Sequence, residues 1–300
     1  AALPQELLAA AVLTSSASKL KPAAALPQEL PAAAAEPGMN TFGSHAAMEQ
    51  GSVKESDAFV ADDFAYGASV AHCGPQVRNG FLRKVYGLLC IQLFATAAVS
   101  CVLMFHTPSQ QLALGHPSLM LFSWLASMGF LFGCHYYKMS HPLNLYLLAG
   151  FTLCVAYSVG TVCAMFQANG MGFIVAEAFL LTAAITGGLT FYTLKSDRDF
   201  SFMGAALHGG LSMLLLGGLL NMVVMWATGG ALFHGQFSFL LAICGALLFS
   251  AFIVYDTHMI SQRLGPDQYI EATIMLYLDI VNLFLELLRI LQHLQGGGDN

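Results

Sequence analysis

The 300 residues are 57% hydrophobic and only 9% charged, with a formal net charge of -6. A water-soluble domain of this length carries far more charge, so long apolar runs here mean membrane-spanning helices. Residues 1–77 hold eight acids and three lysines, and the remainder nine acids and eight bases, which excludes a basic nucleic-acid-binding surface.

Residues 1–77 read as a disordered, low-complexity cytosolic tail. Residues 1–47 are rich in Ala and Pro, and Ala-Leu-Pro-Gln-Glu-Leu occurs at 2–7 and again at 25–30. Such sequence buries too little apolar surface to repay ordering. Met39 or Met48 stands as a candidate natural start, which makes 1–47 a candidate non-native extension. Leu7 to Leu13 is a short apolar run preceded by Glu6, so it does not read as a signal peptide. Residues 48–77 stay polar and acidic, with Glu49, Glu55, Asp57, Asp62 and Asp63.

The membrane domain is predicted over 78–295, with 296–300 as a Gly-rich end. The fold class is all-α, a multi-pass bundle of seven transmembrane helices. The predicted spans are Tyr86–Phe105, Ser118–Tyr137, Leu143–Phe166, Met171–Leu194, Phe202–Trp226, Gln236–Ile260 and Tyr269–Leu294. Each is long enough to cross a core of about 30 Å with tilt. Alternate connections carry the bases: Arg78, Arg83 and Lys84, then Lys138, then Lys195 and Arg198, then Arg263. The connections between them, at 106–117, 167–170 and 227–235, carry no Lys or Arg. That asymmetry places the N-terminus in the cytosol. Cys90, Cys101, Cys134, Cys154, Cys163 and Cys244 fall within or at the ends of spans and read as packing, and no CxxC occurs.

Within the first five spans the only Asp, Glu, Lys or Arg is Glu177. It reads as a protonated acid, as a partner of Thr or His in the bundle, or as part of an ion path. Ala205/Gly209 and Ala206/Gly210 have small-xxx-small spacing, with Gly187-Gly188 and Gly217-Gly218 nearby, and predict close helix contacts.

The last two spans each hold an acid well inside, Asp256 and Asp279. A carboxylate within a membrane span is costly and points to function. With the turn at Ser261 to Tyr269, both acids sit roughly 8–15 Å below the same membrane face. In the seventh span Asp279, Asn282, Glu286, Arg289 and His293 follow at steps of three and four, one helical face. A polar stripe of that length cannot face lipid. Either this helix is central, with its stripe lining a cavity, or it lies in the interface. The central placement fits better, because Asp279 to Phe284 otherwise sit beside lipid without partners.

Several separated segments carry a family resemblance. They are Phe81-Leu82-Arg83-Lys84-Val85-Tyr86, His141-Pro142-Leu143-Asn144-Leu145-Tyr146-Leu147-Leu148, Leu189-Thr190-Phe191-Tyr192-Thr193-Leu194 and Asp199-Phe200-Ser201. Ile253-Val254-Tyr255-Asp256-Thr257 and Leu276-Tyr277-Leu278-Asp279-Ile280-Val281-Asn282-Leu283-Phe284 complete the set. In this order they resemble the transmembrane Bax-inhibitor-motif family, in its lifeguard branch. The resemblance implies a last helix surrounded by the other six. It implies a pH-sensitive calcium leak in endomembranes, Golgi or endoplasmic reticulum, controlled by a carboxylate pair at the positions of Asp256 and Asp279. It further implies control of calcium stores and cell-death sensitivity. Some relatives pair the dyad with a base on an early helix, but the second span here has no Arg or Lys before Lys138.

The chemistry agrees with that expectation. Two close carboxylates in a low-dielectric site resist double ionisation and share a proton. Losing it leaves like charges that repel or recruit a cation. Calcium takes oxygen ligands, commonly about six to eight. Asp256 and Asp279, with Asn282, helix carbonyls and water, supply a weak and incomplete shell, which suits an ion that must leave. Glu286 and Glu177 are further candidates for the path or its support. His258 reads as an added pH sensor or as an interfacial polar residue. No resident cofactor is expected; calcium is cargo, and the partners are the bilayer and candidate cell-death regulators or calcium-release channels.

Two other readings stand beside this one. The acids can be structural, satisfied by Tyr, Thr or Asn, in a non-conducting protein that restrains apoptosis by binding channels or cell-death regulators. An intramembrane aspartyl protease shares Tyr255-Asp256, but Leu276-Tyr277-Leu278 stand where its Gly-x-Gly belongs, so no enzyme is expected.

Overall fold

Proline and glycine set the first helix boundaries. In the computed structural model, which describes residues 69–70, 73–138, 140–228 and 236–296, helix α1 spans Pro75–Phe105 with its proline in the first turn. Proline there loses no hydrogen bond, because the first N–H groups of a helix have no intrahelical acceptor. Helix α2 (Thr107–Gly115) and helix α3 (Pro117–Tyr136) open the same way, on Pro108 and Pro117. Helix α4 spans Leu143–Ala168 and α5 spans Gly172–Lys195. Between them Gly170 takes φ +76°, and the Met171 N–H returns to the Phe166 carbonyl at 2.9 Å. That left-handed closure favours glycine. Helix α6 covers Gly204–Thr228, α7 Gln236–Gln262 and α8 Tyr269–Gly296. No strand occurs among the described residues.

Six of the predicted spans match these helices to within two residues at each end, and two differences stand out. Helix α1 starts at Pro75, eleven residues before the predicted Tyr86, and so takes in the basic residues Arg78, Arg83 and Lys84 and the last three residues of the predicted tail. The connection at 106–117, read as a loop, contains α2. Its signal was weak: nine residues, too short to show a clear period. The remaining tail expectations and the last four residues lie outside the described residues.

Among the described residues six helices are long and apolar enough to cross a membrane: α1, α3, α4, α5, α6 and α7. Helix α8 is excluded from that set by its charges, yet it is 28 residues long and occupies the centre. Helices α7, α5, α1, α4 and α3 pack against it, and α6 docks on α7. Every residue from Leu276 to Leu283 is buried, about two full turns with no face left open. The outer helices show the opposite pattern. In α1 the buried positions Phe81, Val85, Leu89, Gln92, Thr96, Ser100 and Leu103 form one stripe at steps of three and four. Ile91, Phe94, Val102 and Phe105 point outward. The bundle is thus apolar outside and polar-striped inside.

Glycines allow close approach at some predicted positions and not at others. A Cβ on Gly210 meets Leu248 at 2.9 Å and one on Gly217 meets Leu241 at 3.0 Å, so the α6 glycines do receive α7 leucines. Gly187, Gly188 and Gly209 face open space, and the predicted contacts are not made there. The tightest backbone approach is elsewhere, where a Cβ on Gly160 of α4 falls 2.8 Å from Leu103 Cδ1 and 3.1 Å from the Ser100 Cα of α1. Backbone cannot swing aside as a side chain can. Gly160→Val should therefore push α1 from α4 and destabilise the bundle by about 1–3 kcal/mol, read as a lower melting temperature in detergent.

Candidate functional site

Asp256 sits six residues before the end of α7, and Asp279 ten residues after the start of α8. The two helices are antiparallel neighbours joined by a short turn, so those offsets bring the acids to similar depth. Both are buried, at 4% and 7% exposure, and their side chains lie within hydrogen-bonding reach of one another. Two carboxyl groups form a hydrogen bond only when one of them carries a proton. Asp279 Oδ2 is buried without a hydrogen-bond partner. The hydroxyls of Tyr86 on α1 and of Thr257, next to Asp256 in sequence on α7, are also buried without a well-formed hydrogen bond. Such unsatisfied groups are costly in apolar surroundings.

The other predicted residues spread along α8. Asn282 is buried one turn beyond Asp279, on the same face. Glu286 follows at about 10 Å along the axis. It accepts two hydrogen bonds from Arg289 Nη1, at 3.3 and 3.2 Å. Gly245 of α7 makes room for it, since a Cβ there meets Glu286 Cγ at 2.9 Å. Glu177 of α5 does not join the pair. It is exposed at the opposite end of the bundle and accepts from Gln295 Nε2 at 3.5 Å. Of the three readings left open for Glu177, this contact supports none directly. His293, on the same stripe, stacks on Phe239 with ring centroids 4.4 Å apart.

His258 is buried and donates from Nε2 to Asp199 Oδ1 at 2.9 Å, with Phe200 edge-on to its ring. Arg263 Nη2 reaches Asp199 Oδ2 at 3.5 Å and donates to Ser201 Oγ at 3.2 Å. Asp199, in the connection between α5 and α6, therefore ties that connection to the end of α7. It carried no role in the sequence reading, although it lies in one of the family-like segments. Exposed loop acids are common, and nothing local announced the histidine opposite it.

A second set of polar contacts was also missed. Thr96 of α1 and Tyr277 of α8 share a 2.8 Å hydrogen bond, and Gln92 Nε2 donates to Thr152 Oγ1 at 2.8 Å. All four residues are buried. Gln92 inside an apolar span was the available signal. Among the described residues no three His, Cys, Asp or Glu side chains come together as a metal cluster.

The Ser201 backbone N–H, then its hydroxyl, and then His258 hold the Asp199 carboxyl down at about 2. A carboxyl depressed in the folded state stabilises at pH above its ordinary value of 3.8 and loses that contribution as pH falls through about 2. Asp199 is more than half exposed, so the effect is on local order rather than global stability. Asp199→Ala is expected to speed limited tryptic cleavage after Lys195 and Arg198. Acidification of the native protein from about pH 8 to about pH 5 should leave the Asp199 carboxyl carbon unshifted by NMR, because the group stays ionised.

The sequence matches the model of a family described as inhibitor of apoptosis-promoting Bax1 over residues 78–296. It is 42% identical over 233 residues to the Golgi anti-apoptotic protein of Vaccinia virus (strain Lister), covering 78% of this chain and 93% of that protein. It is 40% identical to protein lifeguard 4 of Mus musculus, with the same coverage. Against the BI1-like protein of Arabidopsis thaliana it is 40% identical over 228 residues, 75% of this chain and 83% of that one. The match runs from the start of the basic cluster to the end of the buried central helix. The chain belongs to the Bax inhibitor family, among proteins named for lifeguard and anti-apoptotic roles.

Proposed function

We propose that the protein is a pH-sensitive calcium leak of Golgi or endoplasmic reticulum membranes, with its N-terminus cytosolic, that sets stored calcium and thereby cell-death sensitivity. The observation that carries this reading is the buried contact between Asp256 on α7 and Asp279 on α8. With one proton shared, the contact holds the two helices together. Without it, two unit charges about 4 Å apart repel by roughly 4 kcal/mol at an effective dielectric near 20. A single interhelical hydrogen bond such as Thr96–Tyr277 contributes only about 1 kcal/mol net. The repulsion exceeds one such bond, so the doubly charged pair favours parting of the helices or entry of a cation.

Calcium suits the vacated position as a passing ion. Asp256, Asp279 and Asn282 offer oxygens, and water completes the shell. Site affinity stays low because the protein supplies few of the ligands, and low affinity allows release. The family's anti-apoptotic names and one relative's Golgi name support the compartment and the physiological role. We read the pair as a gate and not as a protease dyad, since Leu276-Tyr277-Leu278 stand before Asp279 where close substrate approach needs glycine.

The test is calcium entry into proteoliposomes loaded with a calcium dye, from about pH 5.5 to about pH 8. Native flux is expected to rise as the pair loses its proton. Asp256→Asn/Asp279→Asn should give low flux with a flat pH profile, because neither side chain can then ionise. No native flux above empty vesicles, from folded protein, favours the alternative of a non-conducting partner of channels or cell-death regulators.

A further inference from the structure

The end of α7 is capped from the far end of the chain. The last carbonyls of a helix have no intrahelical donor. Here the N–H groups of Arg263 and Leu264 both return to the Met259 carbonyl, at 2.8 and 2.9 Å. The Gln262 carbonyl accepts from Ser69 Oγ, and the Leu264 carbonyl accepts from the Val70 N–H at 2.9 Å. Ser69 and Gln262 are 193 residues apart in sequence. Val70 is completely buried, in the same apolar cluster as Phe81 and Val85 of α1 and Leu264 and Ile270 of the turn region. Cys73 Sγ donates to the Ser69 carbonyl at 3.6 Å, which links these residues to the start of α1.

The location gives this contact consequence. The α7–α8 turn is the covalent link between the two acid-bearing helices. Gln262 lies six residues beyond Asp256, about 9 Å along α7, and Asp279 lies about 15 Å along α8 from Tyr269. Parting of α7 from α8 at this end must move the turn. Several contacts oppose that movement, among them Asn144 Nδ2 to the Tyr269 hydroxyl at 3.5 Å and Lys84 over the Tyr269 ring. Arg263 pairs with Asp199 at 3.5 Å, but both side chains are more than half exposed, so solvent and salt weaken the pair. The Val70 contact is dry, and an apolar side chain in a filled site resists displacement far better. Of the Arg263 and Val70 contacts, the Val70 contact is the stronger restraint.

We propose that Ser69 and Val70 form a strap that holds the α7–α8 turn and so restrains the two acid-bearing helices in their closed arrangement. The restraint on flux rests on the calcium-leak reading; the restraint on the turn does not. Anything that pulls Ser69 and Val70 away releases the turn, without touching either acid.

The test uses the full chain in proteoliposomes, with hydrogen exchange read on the same samples. Val70→Asp is expected to raise amide exchange across Ser261–Tyr269 by at least about fivefold, with α3 and α4 unchanged, and to raise calcium flux. If exchange rises through the whole bundle, the variant is unfolding and the second variant decides. That variant is Val70→Cys/Leu264→Cys on a Cys73→Ser background. Its oxidised form should exchange more slowly in the turn and conduct less, and reduction should restore both. Turn exchange insensitive to the cross-link and to Val70→Asp overturns the strap. So does a loosened turn with unchanged flux, where Asp256→Asn/Asp279→Asn does change it. If the native protein does not conduct, the leak reading fails, and exchange in the turn alone decides the strap.

Discussion

A carboxyl group inside a membrane bundle must find a partner, and in this protein the partner of Asp279 is another carboxyl. That pairing constrains the rest. It requires α7 and α8 to be neighbours, at the depth where Asp256 and Asp279 meet. It requires α8 to be shielded from lipid on every side, because a bare acid facing hydrocarbon costs more than packing returns. The outer helices meet that need by turning one apolar stripe inward and another outward. Helix α8 is therefore central because of its polar residues rather than despite them.

The placement also explains the small residues that matter. Gly245 lies where α7 crosses Glu286, and Gly160 lies where α4 crosses α1. Each lets two helices close around the centre. Thr96 and Tyr277 fix α8 to α1 through a buried hydrogen bond. The central helix is thus held to α1 by a neutral contact and meets α7 through its carboxyl contact. Such an arrangement directs any response to charge into the α7–α8 boundary, since the α1 side has no titrating group in that contact.

Much of this was legible in the sequence. Long apolar runs gave seven helices, six of them with boundaries close to those observed and the first begun eleven residues too late. Asp256 and Asp279 stood out because acids are rare in such runs. Their meeting followed from rise per residue and antiparallel direction alone. What escaped was of two kinds. Helix α2 is too short for a period, and the burial of Ser69 and Val70 depends on a carbonyl 193 residues away. Contacts of that range leave no local pattern. Likewise Glu177 and Asp199 exchanged expected importance: the buried-looking acid is exposed at one end, and the loop acid holds His258. Burial of a lone acid depends on which helices stand beside it, and hydropathy does not report that.

Helix α8 bears two buried acids, and their solutions differ in kind. Glu286 has Arg289 one turn away on the same helix, joined by two hydrogen bonds. That pair travels with its helix, so movement of α7 neither makes nor breaks it. Asp279 has Asp256 across a helix boundary, and that contact exists in only one relative position of α7 and α8. Only a contact between moving parts can couple a proton to a change in shape. The same logic ranks the surrounding contacts. Thr96–Tyr277 also crosses a boundary, but neither partner changes charge near neutral pH, so it holds without responding. The carboxyl pair sets two ionisable groups against each other at a buried helix boundary, which is the arrangement the proposed gate requires; in another ionisable contact between elements, His258–Asp199, the acid stands in solvent.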